Sequence, residues 1–248
     1  MVKALNDVVL TWIGCMSSYR VPELARSLVS ILKALNINYK ALGRHEGCCG
    51  SILLRLGSRE GALTIAKDTF NRISQVNAQE LVTHCPGCLR TFKLDYPEVL
   101  GLKINLEIKH STQLILEHID AKKLKPINLK AVYLDPCHLG RHLNVYDEPR
   151  NLLALIPGLS LIEPQESKET SLCCGAGGGV RACYEELALT VARELLGYFK
   201  SLGVEAVITA CPFCYYNLKS ASNGPIKVID IMQLVDSSIR GVPIERVG

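Results

Sequence analysis

Ten of the eleven cysteines in this 248-residue chain fall into two copies of one pattern: a lone Cys, an adjacent Cys-Cys-Gly and a Cys-Pro-x-Cys. The first copy is Cys15, Cys48, Cys49, Cys85 and Cys88; the second is Cys137, Cys173, Cys174, Cys211 and Cys214. In the first, 32 residues separate the lone Cys from the pair and 35 separate the pair from CPGC; the second has 35 and 36 before CPFC. Four thiolates close a tetrahedral zinc site, and an ordinary cubane [4Fe-4S] cluster also takes four. Either would leave a surplus thiol in both copies. A dithiol oxidoreductase would use only the CPxC pair. A disulfide framework fits least well, because adjacent cysteines are poorly disposed to bond to each other and the total is odd. The repeated fifth thiol argues for a cluster of unusual ligation.

The residues around the ligands differ between copies. Met16, Tyr19 and Arg20 correspond by offset to His138, Arg141 and His142, and Ile52 to Leu54 correspond to Gly177, Gly178 and Gly179. Glycines let a ligand approach the backbone and expose N–H donors; His and Arg can donate protons or bind an anion. The second copy is therefore the candidate substrate side, with His138, Arg141 and His142 as catalytic candidates and Gly177, Gly178 and Gly179 leaving room beside the cofactor. The plainer reading is a tight turn, with basic groups balancing a negative cluster. His84, beside Cys85, is a candidate proton donor at the first site or a packed structural residue. His45, His110 and His118 stand in no distinguishing context, and Cys183, outside the pattern, reads as a buried helix cysteine. GAGGGV lacks the spacing and preceding strand of a nucleotide fingerprint.

These residues need a scaffold, and the pattern between cysteines supplies one. Each half opens on an apolar strand into its lone Cys, DVVLTWIGC and KAVYLDPC, and closes on HSTQLILEHI or VIDIMQLVDSSI. The repeat period is 122 to 126 residues, so each copy is a half-domain or small domain, taken as residues 1–125 and 126–248. From Val21 to Leu35, apolar residues recur at helical spacing, with Pro22 suited to the first turn. Ser58 is placed to cap a second helix with Ala62, Ile65, Ala66, Thr69, Phe70, Ile73 and Val76 inward and Asn77 as a left-handed stop. The matching helix runs from about Tyr184 to Leu202, with Leu187, Val191, Leu195, Tyr198 and Leu202 inward and Gly203 ending it. A strand then delivers each CPxC, where Pro86 and Pro212 start a helix whose N-terminus favours thiolate at Cys85 and Cys211. Strands alternating with such helices imply an α/β fold of two pseudo-symmetric repeats, each a small, mostly parallel sheet flanked by helices. The cysteine clusters then lie at the carboxyl ends of strands, where such sheets gather their ligand loops.

At 48% hydrophobic and 21% charged residues the composition is globular. No apolar run approaches the roughly 18 residues of a membrane span. With no secretory leader evident, so many cysteines point to a cytoplasmic metal or redox protein. A net charge of +4 is a mild basic bias. Lys122, Lys123, Lys125 and Lys130 cluster in the connection between repeats, read as a solvated linker or a docking patch for an acidic redox partner. Nothing indicates nucleic-acid binding.

With DPCHLGRHLNVYDEPRNLL, CCGAGGGVR and ITACPFC in the second copy and GC, HEGCCGS and THCPGC in the first, the chain resembles the CCG-domain (cysteine-rich domain) family. That family is typified by the catalytic subunits of heterodisulfide reductases, and the resemblance covers nearly the whole chain. It implies a non-cubane [4Fe-4S] cluster on each five-cysteine set, with zinc as an alternative in the first. It also implies chemistry on a small disulfide or thiol substrate, and two partners, a ferredoxin-like [4Fe-4S] subunit and a flavoprotein subunit. The alternatives are an electron-transfer subunit of a 2-hydroxy-acid oxidase complex and a zinc-binding assembly factor.

Overall fold

The computed structural model describes residues 8–247. The first half contains β1 (Val9–Trp12), α1 (Cys15–Tyr19), α2 (Pro22–Ala34), β2 (Tyr39–Lys40), α3 (Ser51–Arg55), α4 (Arg59–Ser74), β3 (Glu80–Thr83), α5 (Pro86–Arg90), β4 (Glu107–His110) and α6 (Ser111–His118). The second contains β5 (Leu129–Leu134), α7 (Gly140–Leu143), α8 (Asp147–Ala154), β6 (Leu159–Ile162), α9 (Val180–Cys183), α10 (Glu185–Ser201), β7 (Ala206–Thr209), α11 (Pro212–Ala221), β8 (Lys227–Asp230) and α12 (Ile231–Arg240). Each half forms a four-stranded sheet, in the orders β2-β1-β3-β4 and β6-β5-β7-β8, and every pairing is parallel. The halves are thus topologically alike.

Short strands of Val, Ile, Leu and Thr lie at the centre of each sheet because helices cover both faces, and β1, β3 and β7 are buried along their whole length. The strand order reverses between β1 and β3, and between β5 and β7. That reversal opens the crevice at which parallel sheets bind ligands, and the strands on either side of it lead into Cys15 and Cys85, and into Cys137 and Cys211.

The two halves share one core. α2 packs on α12, and α6 packs on α8, so the helix after the first strand of each half meets the last helix of the other. α12 is buried at every position from Ile231 to Ser238. Its polar residues are accordingly tied: Ser30 Oγ donates to Asp236 at 2.6 Å, and Ser238 Oγ to the Lys125 carbonyl at 2.7 Å. The Lys125 N–H also donates to the Ser238 carbonyl, which pins the basic connection to the core.

Several local expectations need correction. Ser58 stands at the start of α4, but its side chain makes no capping bond. That helix ends with right-handed Gln75, and Asn77 is not left-handed. On α10, Leu187 and Val191 are exposed, while Ala188, Ala192, Leu195, Leu196 and Phe199 face inward. The buried stripe begins with alanines because the CCG loop passes close over the helix there. Cys183 is exposed, not buried.

Candidate metal centre

All ten patterned cysteines line one cleft, which encloses about 710 Å³ including its open mouth. Cys49, Cys85, Cys88, Cys174, Cys211 and Cys214 are buried at its base; Cys15, Cys48 and Cys137 are half-buried, and Cys173 is exposed. Within each set the sulfurs interact in a row of the same order: Cys15, Cys48, Cys49, Cys88, Cys85 in the first, and Cys137, Cys173, Cys174, Cys214, Cys211 in the second. The ends of each row also lie within electrostatic reach, Cys15 of Cys85 and Cys137 of Cys211, so each set is a group of five neighbouring sulfurs. Among the described residues no group of three Cys, His, Asp or Glu side chains is arranged to hold a single metal ion.

Backbone geometry explains each part of the pattern. Pro86 and Pro212 open α5 and α11, with Cys85 and Cys211 as extended N-cap residues. In CCG the glycine is left-handed, at φ +82° for Gly50 and +85° for Gly175. Its N–H turns back onto the first sulfur of the pair, Cys48 at 3.5 Å and Cys173 at 3.4 Å. A Cβ on Gly175 would lie 2.9 Å from Val191, and one on Gly50 would lie 3.3 Å from the Ala62 carbonyl, so both the angle and the close pass over the helix demand glycine. Thr69 Oγ1 ties the Cys48 carbonyl at 2.8 Å, and Asn217 Nδ2 ties the Cys174 carbonyl at 2.7 Å. The lone cysteines are held differently. Glu46 accepts from the N–H groups of Ile13 and Gly14, whereas buried Asp135 is gripped by Arg150, both bonds at 2.7 Å, and by the Lys168 N–H.

In each row thiolate is favoured where neighbours donate to it. Bonds from Cys15 and Cys49 pull Cys48 down to about 2, and bonds from Cys137 and Cys174 do the same for Cys173. The Cys88 thiol likewise lowers Cys85. The donors are pushed up, first by the bond to a neighbouring sulfur and then by burial: Cys15, Cys49 and Cys88, and Cys137, Cys174 and Cys214. Without a cation each row remains partly protonated, since adjacent thiolates repel. Metal binding has to release those protons.

The non-cysteine candidates separate. His138, Gly177 and Gly178 line the cleft with Ser51, Arg55 and Phe213. Burial, then the charges of His142, Arg90 and Arg55, push His138 down to about 4, so its imidazole is neutral at pH 7. His142 stacks on it, ring centroids 4.7 Å apart, but does not line the cleft. Arg141 donates to the carbonyls of Ser171 at 2.6 Å and Glu169 at 3.1 Å, bracing the loop into Cys173. Gly179, at φ +87°, is a packing residue: a Cβ there would lie 2.9 Å from Leu56 of the other half. His84 is buried away from the cleft, both ring nitrogens engaged. Arg55 escaped the sequence reading, since no motif marks it. With Arg90 it shares the buried carboxylate of Asp95, at 2.7 and 2.6 Å, leaving a positive surplus at the cleft edge.

Residues 9–93 and 131–219 match the cysteine-rich domain, CCG. The chain belongs to the CCG cysteine-rich domain family. It is 37% identical over 235 residues to a subunit of the dihydromethanophenazine:CoB–CoM heterodisulfide reductase of Methanosarcina barkeri, covering 91% of this chain and 58% of that protein. To a subunit of the fumarate reductase (CoM/CoB) of Methanothermobacter marburgensis it is 34% identical over 229 residues, covering 90% of this chain and 45% of the relative. The chain therefore spans about three-fifths or less of the length of these relatives. Among solved structures, a hypothetical protein from Helicobacter pylori has a similar fold, with TM-score 0.59 at 12% identity, covering 94% of this chain and 49% of the other. No helix of the described residues is long and apolar enough to cross a membrane.

Proposed function

We propose that this CCG-family chain is the catalytic iron–sulfur part of an oxidoreductase that interconverts a small disulfide and its thiols, as the names of the heterodisulfide reductase relatives suggest. Each five-cysteine set would hold one non-cubane [4Fe-4S] cluster. The observation that carries this reading is the meeting of both sets in a single cleft: a disulfide has two sulfurs, and its reduction takes two electrons and two protons to give two thiols.

The residues fit such a group. Five neighbouring thiols can serve a polynuclear cluster, whereas a single zinc takes four and leaves one over. The indole Nε1–H of fully buried Trp12 has no acceptor among the described residues. The position of a Cβ on Gly14 lies 3.8 Å from that nitrogen and 3.5 Å from Cys88 Sγ, so this donor stands beside the first set. When bound, the clusters supply electrons one at a time.

The chain's own residues do the rest. Arg55, with Arg90 behind it, gives the cleft edge the positive charge that holds an anionic thiol. Neutral His138 reaches across to the CPGC loop, its Nδ1 3.6 Å from the position of a Cβ on Gly87, where it can orient a substrate sulfur by hydrogen bonding. Neutral at pH 7, it has no imidazolium proton to give, so protons come from solvent at the open mouth. Substrate thus sits between the two sets, which revises the expectation that it meets the second alone. Electrons would arrive from a ferredoxin-like subunit and a flavoprotein subunit.

The test is anaerobic: chemically reduced, reconstituted protein mixed with small anionic and neutral disulfides, following cluster oxidation and thiol release. Oxidation with two thiols formed per disulfide is expected, faster for the anionic compounds. Clusters that reoxidise only with electron acceptors would favour an electron-transfer subunit, and zinc in place of iron would favour an assembly factor.

A further inference from the structure

Behind the CPGC loop a buried hydrogen-bonded chain crosses from one half to the other. His84, immediately before Cys85, is 2% exposed. Its Nδ1 lies 2.8 Å from Ser111 Oγ and its Nε2 2.8 Å from Asp230 Oδ2. Asp230 is fully buried and belongs to the second half, at the end of β8, where its other oxygen accepts from the Met232 N–H at 2.8 Å and caps α12. Its carboxylate can only accept, so Nε2 of His84 carries the proton in this contact. His110 completes the chain: its Nδ1 accepts from the Thr112 N–H, leaving Nε2 to donate to the His84 carbonyl at 3.0 Å.

The two halves do not share this arrangement. His110 and Asp230 are equivalent, each the capping-box residue of its half's last helix. The residue before CPFC, however, is Ala210, which has no polar side chain to bond. The loops also differ in self-support. Phe213 packs against the apolar core, while its counterpart Gly87 buries no side chain. The first loop, without an internal anchor, is braced through a side chain, whereas His110 meets the second only at the backbone of Ala210.

We propose that Asp230 is a positioning residue for the first metal site and not for the site of its own half: through His84 it fixes the Cys85 end of the CPGC loop. The assignment rests on both cysteine sets holding clusters. It concerns where a supporting residue acts, and outer residues that orient ligands typically change metal affinity by about 10- to 100-fold.

The experiment uses the full chain, reconstituted anaerobically, with each cluster isolated in turn by Cys174→Ser, which leaves the first, or Cys49→Ser, which leaves the second. Iron retention against a chelator and the electron paramagnetic resonance spectrum are read in both backgrounds. Asp230→Ala should weaken retention at the first site about tenfold or more and broaden its spectrum, leaving the second within error. Asp230→Asn, whose oxygen keeps the Met232 cap while its amide NH2 donates to Nε2 of His84 in the tautomer that donates from Nδ1 to Ser111, should restore the first-site spectrum. Because Asp230→Ala also removes the cap of α12, His84→Ala repeats the test from the other end; Ala210 shows that such a loop accommodates alanine. Equal loss at both sites, loss confined to the second, or no loss from either variant would overturn the proposal. A parent chain that takes up no iron would overturn the cluster reading itself, whereas a fully loaded parent with unselective variants overturns only the brace.

Discussion

Asn217 on α11 offers a measured perturbation of one site alone. Its Nδ2 donates to the carbonyls of Cys174, at 2.7 Å, and Ala188, at 3.0 Å, and the residue is fully buried. In Asn217→Leu the Cys174 carbonyl loses its tie, at about 1–3 kcal/mol for a stranded buried acceptor. The Ala188 carbonyl keeps its helical partner, so that loss is about 1 kcal/mol. Leucine also removes Asn217 Oδ1, which has no partner among the described residues, recovering about 1 kcal/mol. The net loss is about 2 kcal/mol, which for a chain of this size lowers Tm by about 4–8 °C. The first half ties its CCG loop through Thr69, so the variant should lose iron from the second site and keep it at the first. Calorimetry on the apoprotein and anaerobic iron counts with site-resolved spectra check both. An unchanged Tm, or iron lost equally from both sites, would refute the reasoning.

Three further outcomes are expected. Trp12→Phe keeps the edge-on packing against Phe92 but removes the unpartnered N–H, so one cluster's midpoint potential should fall in a redox titration while the other stays put. Iron loading should weaken as pH falls: six thiols are raised above their ordinary range, so they carry protons at neutral pH and must lose them on binding, at about tenfold in affinity per proton per pH unit. Proton release measured during loading checks the count. Gly177 lacks a left-handed φ, and a Cβ there meets nothing within 4 Å, so Gly177→Leu should obstruct the cleft and slow disulfide turnover with iron content unchanged. Unchanged turnover would remove Gly177 from the substrate path.

Much of the fold was legible because local chemistry dictates it. Proline at a helix start, apolar runs leading into Cys15 and Cys137, and helical spacing between strands each constrain a few residues independently of the rest. The longer-range features were not legible. That α10 hides Ala188 and shows Leu187 depends on the glycine loop lying over it, not on hydrophobicity. That His110 caps α6 and reaches the His84 carbonyl depends on the pairing of β3 with β4, which sets Thr83 opposite His110, and nothing in its sequence neighbours reports that. The docking of the halves places Arg55 and His138 at one cleft and sets Gly179 against Leu56. Arg141 bonds the carbonyls of Glu169 and Ser171, 28 and 30 residues away, ties that its sequence neighbours do not report.

The most direct test of two clusters in one cleft is the iron content and Mössbauer spectrum of anaerobically reconstituted protein, before and after addition of disulfide. The account predicts about eight irons per chain in two spectroscopically distinct clusters, both perturbed by a bound disulfide because both border the same space. Four or fewer irons, zinc filling either set, or a disulfide that perturbs neither cluster would contradict it.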